Sequence, residues 1–182
     1  MHLIERTPSG TADPVTAAEL ADHMRIELAE ATSAMRFARA AADEIEAYAR
    51  IALLSQEIVA ISEPCPSTPL CLPVGPVAAD ASVTVELLEV DGSLTPVPDG
   101  WHLEAGLYPK LHFDQIPGGR LKITYAAGYG ASSADIPDDL SHAILDHALR
   151  LYDRRGDTDA PATMAPATAR ICARYRRVMV GA

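Results

Sequence analysis

The apolar period of this chain changes twice. Up to about residue 50 the hydrophobic residues recur at helical spacing. From 52 to 130 they alternate, or sit in short β-branched runs broken by proline and glycine, and from 131 the helical spacing returns. Helices, then strands, then helices, with no alternating βαβ units, confine the chain to the α+β class. The expected architecture is a helical bundle of about four helices, two N-terminal and two C-terminal, with a small antiparallel β-domain inserted between the pairs. The implied division is N-terminal helices over 1–51, β-domain over 52–130, a core helix over 131–156, and a linker with a C-terminal arm helix over 157–182. These make one structural domain with a projecting arm.

Local signals place the elements. Thr16 followed by Glu19 is a capping box, with Val15 positioned as a hydrophobic staple, and starts a helix running to about Met24. A second helix is expected over about 31–50, its apolar face formed by Met35, Phe37, Ala38, Ala41, Ala42, Ile45, Tyr48 and Ala49, with Glu46 and Arg50 paired on the wet side. Strands are expected over 52–62, 83–90, 93–98, 101–103, 108–113 and 120–127, and Asp91-Gly92 marks a hairpin. The prolines at 64, 66, 69, 73 and 76 turn the intervening stretch into loops and short edge pieces. Pro137, Asp138 and Asp139 open a third helix that stops near Arg155-Gly156, and a last helix is expected from about Pro166 to Val180.

Charge divides the chain differently. The whole carries a net charge of −10. Residues 150–182 contain seven arginines against three aspartates, a local +4, which leaves −14 on the rest. Such a chain is a poor non-specific ligand for nucleic acid, and the asymmetry implies two surfaces with different partners. Three cysteines, Cys65, Cys71 and Cys172, without framework spacing point to a reducing compartment. No stretch has the order of a signal peptide, and no apolar run approaches the ~18–20 residues needed to cross a bilayer. A soluble protein made in the cytoplasm is expected.

Catalytic constellations are missing. Gly128-Tyr129-Gly130-Ala131-Ser132-Ser133 joins a strand to a helix but lacks the glycine and lysine pattern of a nucleotide loop, so it reads as a turn. His142 and Asp146 share a helix face while His147 points elsewhere, and no second His/Cys cluster completes a metal site, so these read as surface or boundary histidines. Cys65 and Cys71 read as ordinary thiols. Neither G-x-S-x-G nor S-x-x-K occurs. No catalytic residue, cofactor or metal is expected.

The last helix makes a surface instead. Arg170, Arg174 and Arg177 form one basic stripe beside Ile171, Tyr175, Val178 and Met179. Beyond a linker rich in Asp, Thr, Ala and Pro, this amphipathic helix suits an arm laid into a partner's groove, with the arginines meeting acidic rims. A solvated basic face, or DNA contact, are the other readings of the same pattern.

The order of these segments resembles a known family. PVTAAELADHMRIE at 14–27, EIEAYARIALLSQEI at 44–58, LPVGPVAADASVTVELLEVDG at 72–92, GGRLKITYAAGYG at 118–130 and IPDDLSHAILDHALRLYDRRGD at 136–157 are together similar to the head–tail connector (adaptor) proteins of long-tailed phages and phage-derived gene transfer agents. Each piece is degenerate alone; order and spacing carry the likeness over roughly 14–157. The resemblance implies no catalysis. It implies a homo-oligomeric ring of about twelve subunits beneath the portal protein, in the neck of a virion or phage-like particle assembled in the bacterial cytoplasm. The ring would join the DNA-filled head to the next connector, stopper or tail protein, and let DNA pass through its lumen without sequence-specific binding. It also implies that the C-terminal helix reaches the portal, which makes Arg170, Ile171, Arg174, Tyr175, Arg177, Val178 and Met179 the candidate interface. Another morphogenesis component, such as a tail-completion protein, is the alternative. A small hydrolase or nucleotide-binding domain is the alternative from a different class.

Overall fold

In a computed structural model, residues 1–64, 68–115, 117–157 and 164–176 are described. The chain divides into two units: residues 1–11 with 55–129, and residues 12–54 with 130–182. Among the described residues, the first is all β and the second holds four α-helices. The α+β class, the four-helix set and the inserted antiparallel β-domain are as the sequence implied.

The helical unit begins with α1 (Ala17–Met24). Its capping box closes as expected: the Glu19 amide donates to Thr16 Oγ1 at 3.2 Å, and the Thr16 amide donates to the Glu19 carboxylate at 2.7 Å. Val15 and Leu20, the two ends of the staple, are both buried. The helix α2 (Leu28–Ala49) starts three residues earlier than the periodicity suggests, because the Glu27 carbonyl already accepts the Ala31 amide at 2.9 Å. Its inner face is almost all alanine (Ala31, Ala34, Ala38, Ala41, Ala42 and Ala49), joined by Met35 and Ile45. Small side chains let neighbouring helix axes approach to the short end of the usual ~8–10 Å range.

Phe37 and Tyr48, expected on that face, are half-buried at its margin. Arg50 ends α2 in a left-handed conformation. Glu46, expected to face Arg50 on the wet side, turns one carboxylate oxygen onto the Leu53 amide at 2.6 Å and so caps the chain's exit. The helix α3 (Asp138–Asp153) buries Leu140, Ala143, Ile144, His147 and Ala148, and packs on α1, α2 and α4 (Pro166–Ala173).

The β unit is built from a five-stranded antiparallel sheet, order β1-β2-β8-β4-β5, and a three-stranded sheet, order β3-β7-β6. The strands are β1 (His2–Pro8), β2 (Gln56–Ser62), β3 (Leu70–Cys71), β4 (Val83–Leu88), β5 (Leu94–Pro96), β6 (Trp101–Glu104), β7 (Lys110–Phe113) and β8 (Arg120–Ala127). The central β8 turns Leu121, Ile123, Tyr125 and Ala127 inward, the alternation its sequence displays. Asp91-Gly92 forms the expected hairpin between β4 and β5, with Gly92 at φ 87° and the Asp91 carboxylate accepting the Ser93 amide at 2.9 Å. The proline-rich stretch is stitched to the smaller sheet: the Leu72 amide donates to the Pro109 carbonyl, and the Phe113 amide to Thr68 Oγ1. Cys65 lies outside the described residues.

Two expectations are corrected. The sequence groups residues 1–11 with the helices, yet β1 pairs with β2 from His2↔Ile61 to Pro8↔Gln56 and belongs to the β unit. Its side chains are exposed on both faces, Leu3 and Ile4 included, so it has no buried stripe to betray it. The last helix ends at Ala173 instead of Val180, with Arg174 and Tyr175 in a turn.

Candidate functional site

The helix α3 organises the side chains that the sequence singles out. Asp138 and Asp139 stand in its first turn, where a carboxylate is favoured by the helix dipole. Before it, Gly130 leads into a single 3-10 turn, Ser133–Asp135. There the Asp135 carboxylate accepts the Ser132 amide at 2.9 Å and the Ser132 hydroxyl at 3.0 Å, which hold it below the usual carboxylate range. The glycine-rich stretch is therefore a turn and helix lead-in, as its residues imply.

Against α3 lies α4, with Thr168 and Cys172, one turn apart, fully buried. Burial pushes the Cys172 thiol up to about 11. Tyr175 donates to Asp139 Oδ1 at 2.6 Å, and Arg174 Nη2 reaches Asp139 Oδ2 at 2.8 Å. Burial, then the hydrogen bond to Asp139, push the Tyr175 phenol up to about 12. The Arg176 guanidinium lies 5.0 Å from the ring centroid of Tyr48 on α2.

The expected arm is thus docked at its root. Of the candidate interface, Arg170 is exposed, Ile171 and Tyr175 are half-buried, and Arg174 is held at Asp139. Arg177, Val178 and Met179 lie outside the described residues. The buried line through Thr168 and Cys172 is not marked as an inner face in the sequence, because threonine and cysteine do not register as an apolar stripe, although a free cysteine behaves as a small hydrophobe.

The histidines of α3 part ways. His147, expected at a surface or boundary, is 1% exposed, and its Nε2 lies 2.7 Å from the Glu44 carboxylate on α2. It serves as a polar tie between α2 and α3. His142 and Asp146 face outward together, and the fold brings His23 of α1 beside them, a third group that the sequence pattern does not supply. The capping box fixes where α1 begins and the left-handed Arg25 ends it, but only the packing of α1 on α3 puts His23 at Asp146.

No described helix is long and apolar enough to cross a membrane. No protein-family model matches the chain, and no curated protein matches it. Solved structures do. A chain of the virion of a native gene transfer agent particle is 27% identical with a TM-score of 0.77, the match covering 98% of this chain and 99% of that one. A chain of the neck of an empty gene transfer agent particle, computed with C6 symmetry, is 28% identical with a TM-score of 0.75 over 98% and 99%. A chain of the neck of the native particle, computed with C12 symmetry, is 31% identical with a TM-score of 0.73 over 100% and 99%. With both of its units and nearly every residue shared at that identity, the chain belongs to the family of phage-derived neck proteins of gene transfer agent particles, structural components of the virion.

Proposed function

We propose that this chain is a head–tail connector (adaptor) subunit, assembled as a ring of twelve beneath the portal, with no enzymatic activity. The observation that carries this reading is the end-to-end likeness to a neck chain from a particle computed with C12 symmetry. The net charge of −10 supports a conduit role, since an acidic lumen repels the phosphates of passing DNA and lets it slide. Tail-side, the ring would receive the next connector, stopper or tail protein.

Portal contact is assigned to the C-terminal segment, in the residues Arg170, Ile171, Arg174, Tyr175, Arg177, Val178 and Met179. The docked root at Asp139 refines this picture. Arg174 and Tyr175 anchor the segment on α3, which leaves Arg170 and the residues past Arg176 to meet the partner. Removing the whole of 166–182 would strip buried Cys172 and Thr168 from the helical unit. A cut after Arg176 spares them.

The test is co-expression with the cognate portal protein, followed by electron microscopy and native mass spectrometry. A twelve-subunit ring stacked on the portal is the expected result for the full chain, with loss of stacking for the 1–176 truncation. A chain that stays monomeric and never joins the portal overturns the connector reading. Undiminished portal binding by the truncation carrying Arg170→Glu overturns the interface alone.

A further inference from the structure

His142 and Asp146 sit one turn apart on α3, and His23 stands in the last turn of α1. His23 Nε2 lies 3.0 Å from Asp146 Oδ1, and His142 Nε2 lies 3.5 Å from Asp146 Oδ2. The two imidazole rings meet edge to face with centroids 5.7 Å apart. One ligand atom from each of the three residues lies within 4.8 Å of the other two. Tetrahedral donors at zinc-type bond lengths of ~2.0–2.1 Å stand about 3.3 Å apart. The two nitrogen–oxygen separations lie on either side of that value but end on different oxygens of Asp146, so binding draws both imidazole nitrogens and a single carboxylate oxygen together from within 4.8 Å.

The donor chemistry selects the ion. Two imidazole nitrogens and one carboxylate suit zinc and its first-row neighbours, whereas calcium and magnesium ask for oxygen donors throughout. The His23, Asp146 and His142 side chains are 21%, 33% and 58% exposed, so an ion can enter and water can complete its coordination. The C-terminal end of α1 adds a favourable partial charge, because a helix dipole is negative there. We propose that His23, His142 and Asp146 form a binding site for a zinc-class divalent cation, which clamps the end of α1 onto α3. An eight-residue helix has little stability of its own, so a clamp at its end matters to the position it holds. This site is independent of the connector reading.

The experiment titrates the untagged 182-residue chain with Co²⁺ and Zn²⁺. Visible ligand-field absorption would be followed for cobalt and heat for zinc. One saturable site per chain is expected, with zinc displacing cobalt and an excess of magnesium or calcium doing nothing. His142→Gln and His23→Gln should each weaken zinc at least about tenfold. The stacked pair His102 and His112 in the β unit offers a competing home, and His102→Ala/His112→Ala should leave binding unchanged. No saturable uptake overturns the site, as does uptake that survives His142→Gln and vanishes in the His102/His112 variant. Side-chain nitrogen spectra of the wild type separate the two homes without any variant. Zinc should shift the His23 and His142 nitrogens and spare those of His102 and His112; the reverse pattern overturns the site.

Discussion

Tyr175 donates its phenolic proton to Oδ1 of Asp139 across 2.6 Å, tying the end of α4 to the first turn of α3. Arg174 takes the other oxygen at 2.8 Å, but its side chain is 62% exposed. An exposed ion pair contributes little, because water screens it and ordering a long side chain costs entropy. A half-buried phenol bonded to a carboxylate contributes more. Tyr175→Phe should therefore lower the stability of the helical unit by about 1 kcal/mol, and Arg174→Ala by less than about 0.5 kcal/mol. Urea unfolding followed by far-ultraviolet circular dichroism reads both, and the opposite ranking would show that charge holds the root of the arm.

Alkali should loosen the same contact. Cys172 rises from an ordinary 9.0 to about 11, chiefly through burial, and Tyr175 from 10.0 to about 12, through burial and then Asp139. Both groups hold their protons more tightly folded than unfolded, so their contribution is whole below the ordinary values. It declines as pH rises from 9 towards 12, where a thiolate would be buried and a phenolate would face a carboxylate. Melting temperatures at pH 7.5, ~9.5 and ~11 should fall for the wild type, and fall less for Cys172→Ala/Tyr175→Phe. Equal slopes in the two proteins would remove these groups as the cause.

What is legible in the sequence is what local physics decides. The Thr16–Glu19 box, the alternation of 120–127, the Asp91-Gly92 hairpin and the acidic start of α3 are settled within a few residues of themselves, and each stands where it is expected. The strand β1 is not legible, because its order comes from a ladder to β2, about fifty to sixty residues away, and not from a buried stripe of its own. The docking of α4 is hidden for a related reason. Its inner face is Thr168 and Cys172, and the acceptor that holds its end is Asp139, a residue already accounted for by the helix dipole. The meeting of His23 with Asp146 depends on how two helices pack, which no spacing in the chain records.

The alanine face of α2 makes a sharp packing prediction. Ala38 is wholly buried among the helices, while Ala40, two residues on, is exposed. Adding three carbons to a filled interior forces neighbours off their rotamers, so Ala38→Leu should cost about 1–3 kcal/mol. Ala40→Leu should stay within about 0.5 kcal/mol of wild type. Equal effects in thermal unfolding would mean that helix propensity, not close packing, governs α2.

Tyr125 gives the matching prediction in the β unit. Its hydroxyl both donates to the Val74 carbonyl and accepts the Val74 amide, each at 3.1 Å. It thereby fastens the proline-flanked segment to the centre of β8, and burial raises its phenol well above the ordinary value. Tyr125→Phe keeps the ring and its packing but deprives a buried amide and a buried carbonyl of this partner. Leaving such groups unsatisfied costs about 1–3 kcal/mol, more than the net value of an ordinary hydrogen bond. The loss should exceed that from Tyr175→Phe, since water can replace the partner at Asp139 but not at Val74. Hydrogen exchange locates the effect: the Val74 amide should lose protection in Tyr125→Phe, while the helical amides of α2 and α3 keep theirs. Unchanged exchange at Val74 would mean that the segment is held by its pairing of β3 with β7, and not by the phenol.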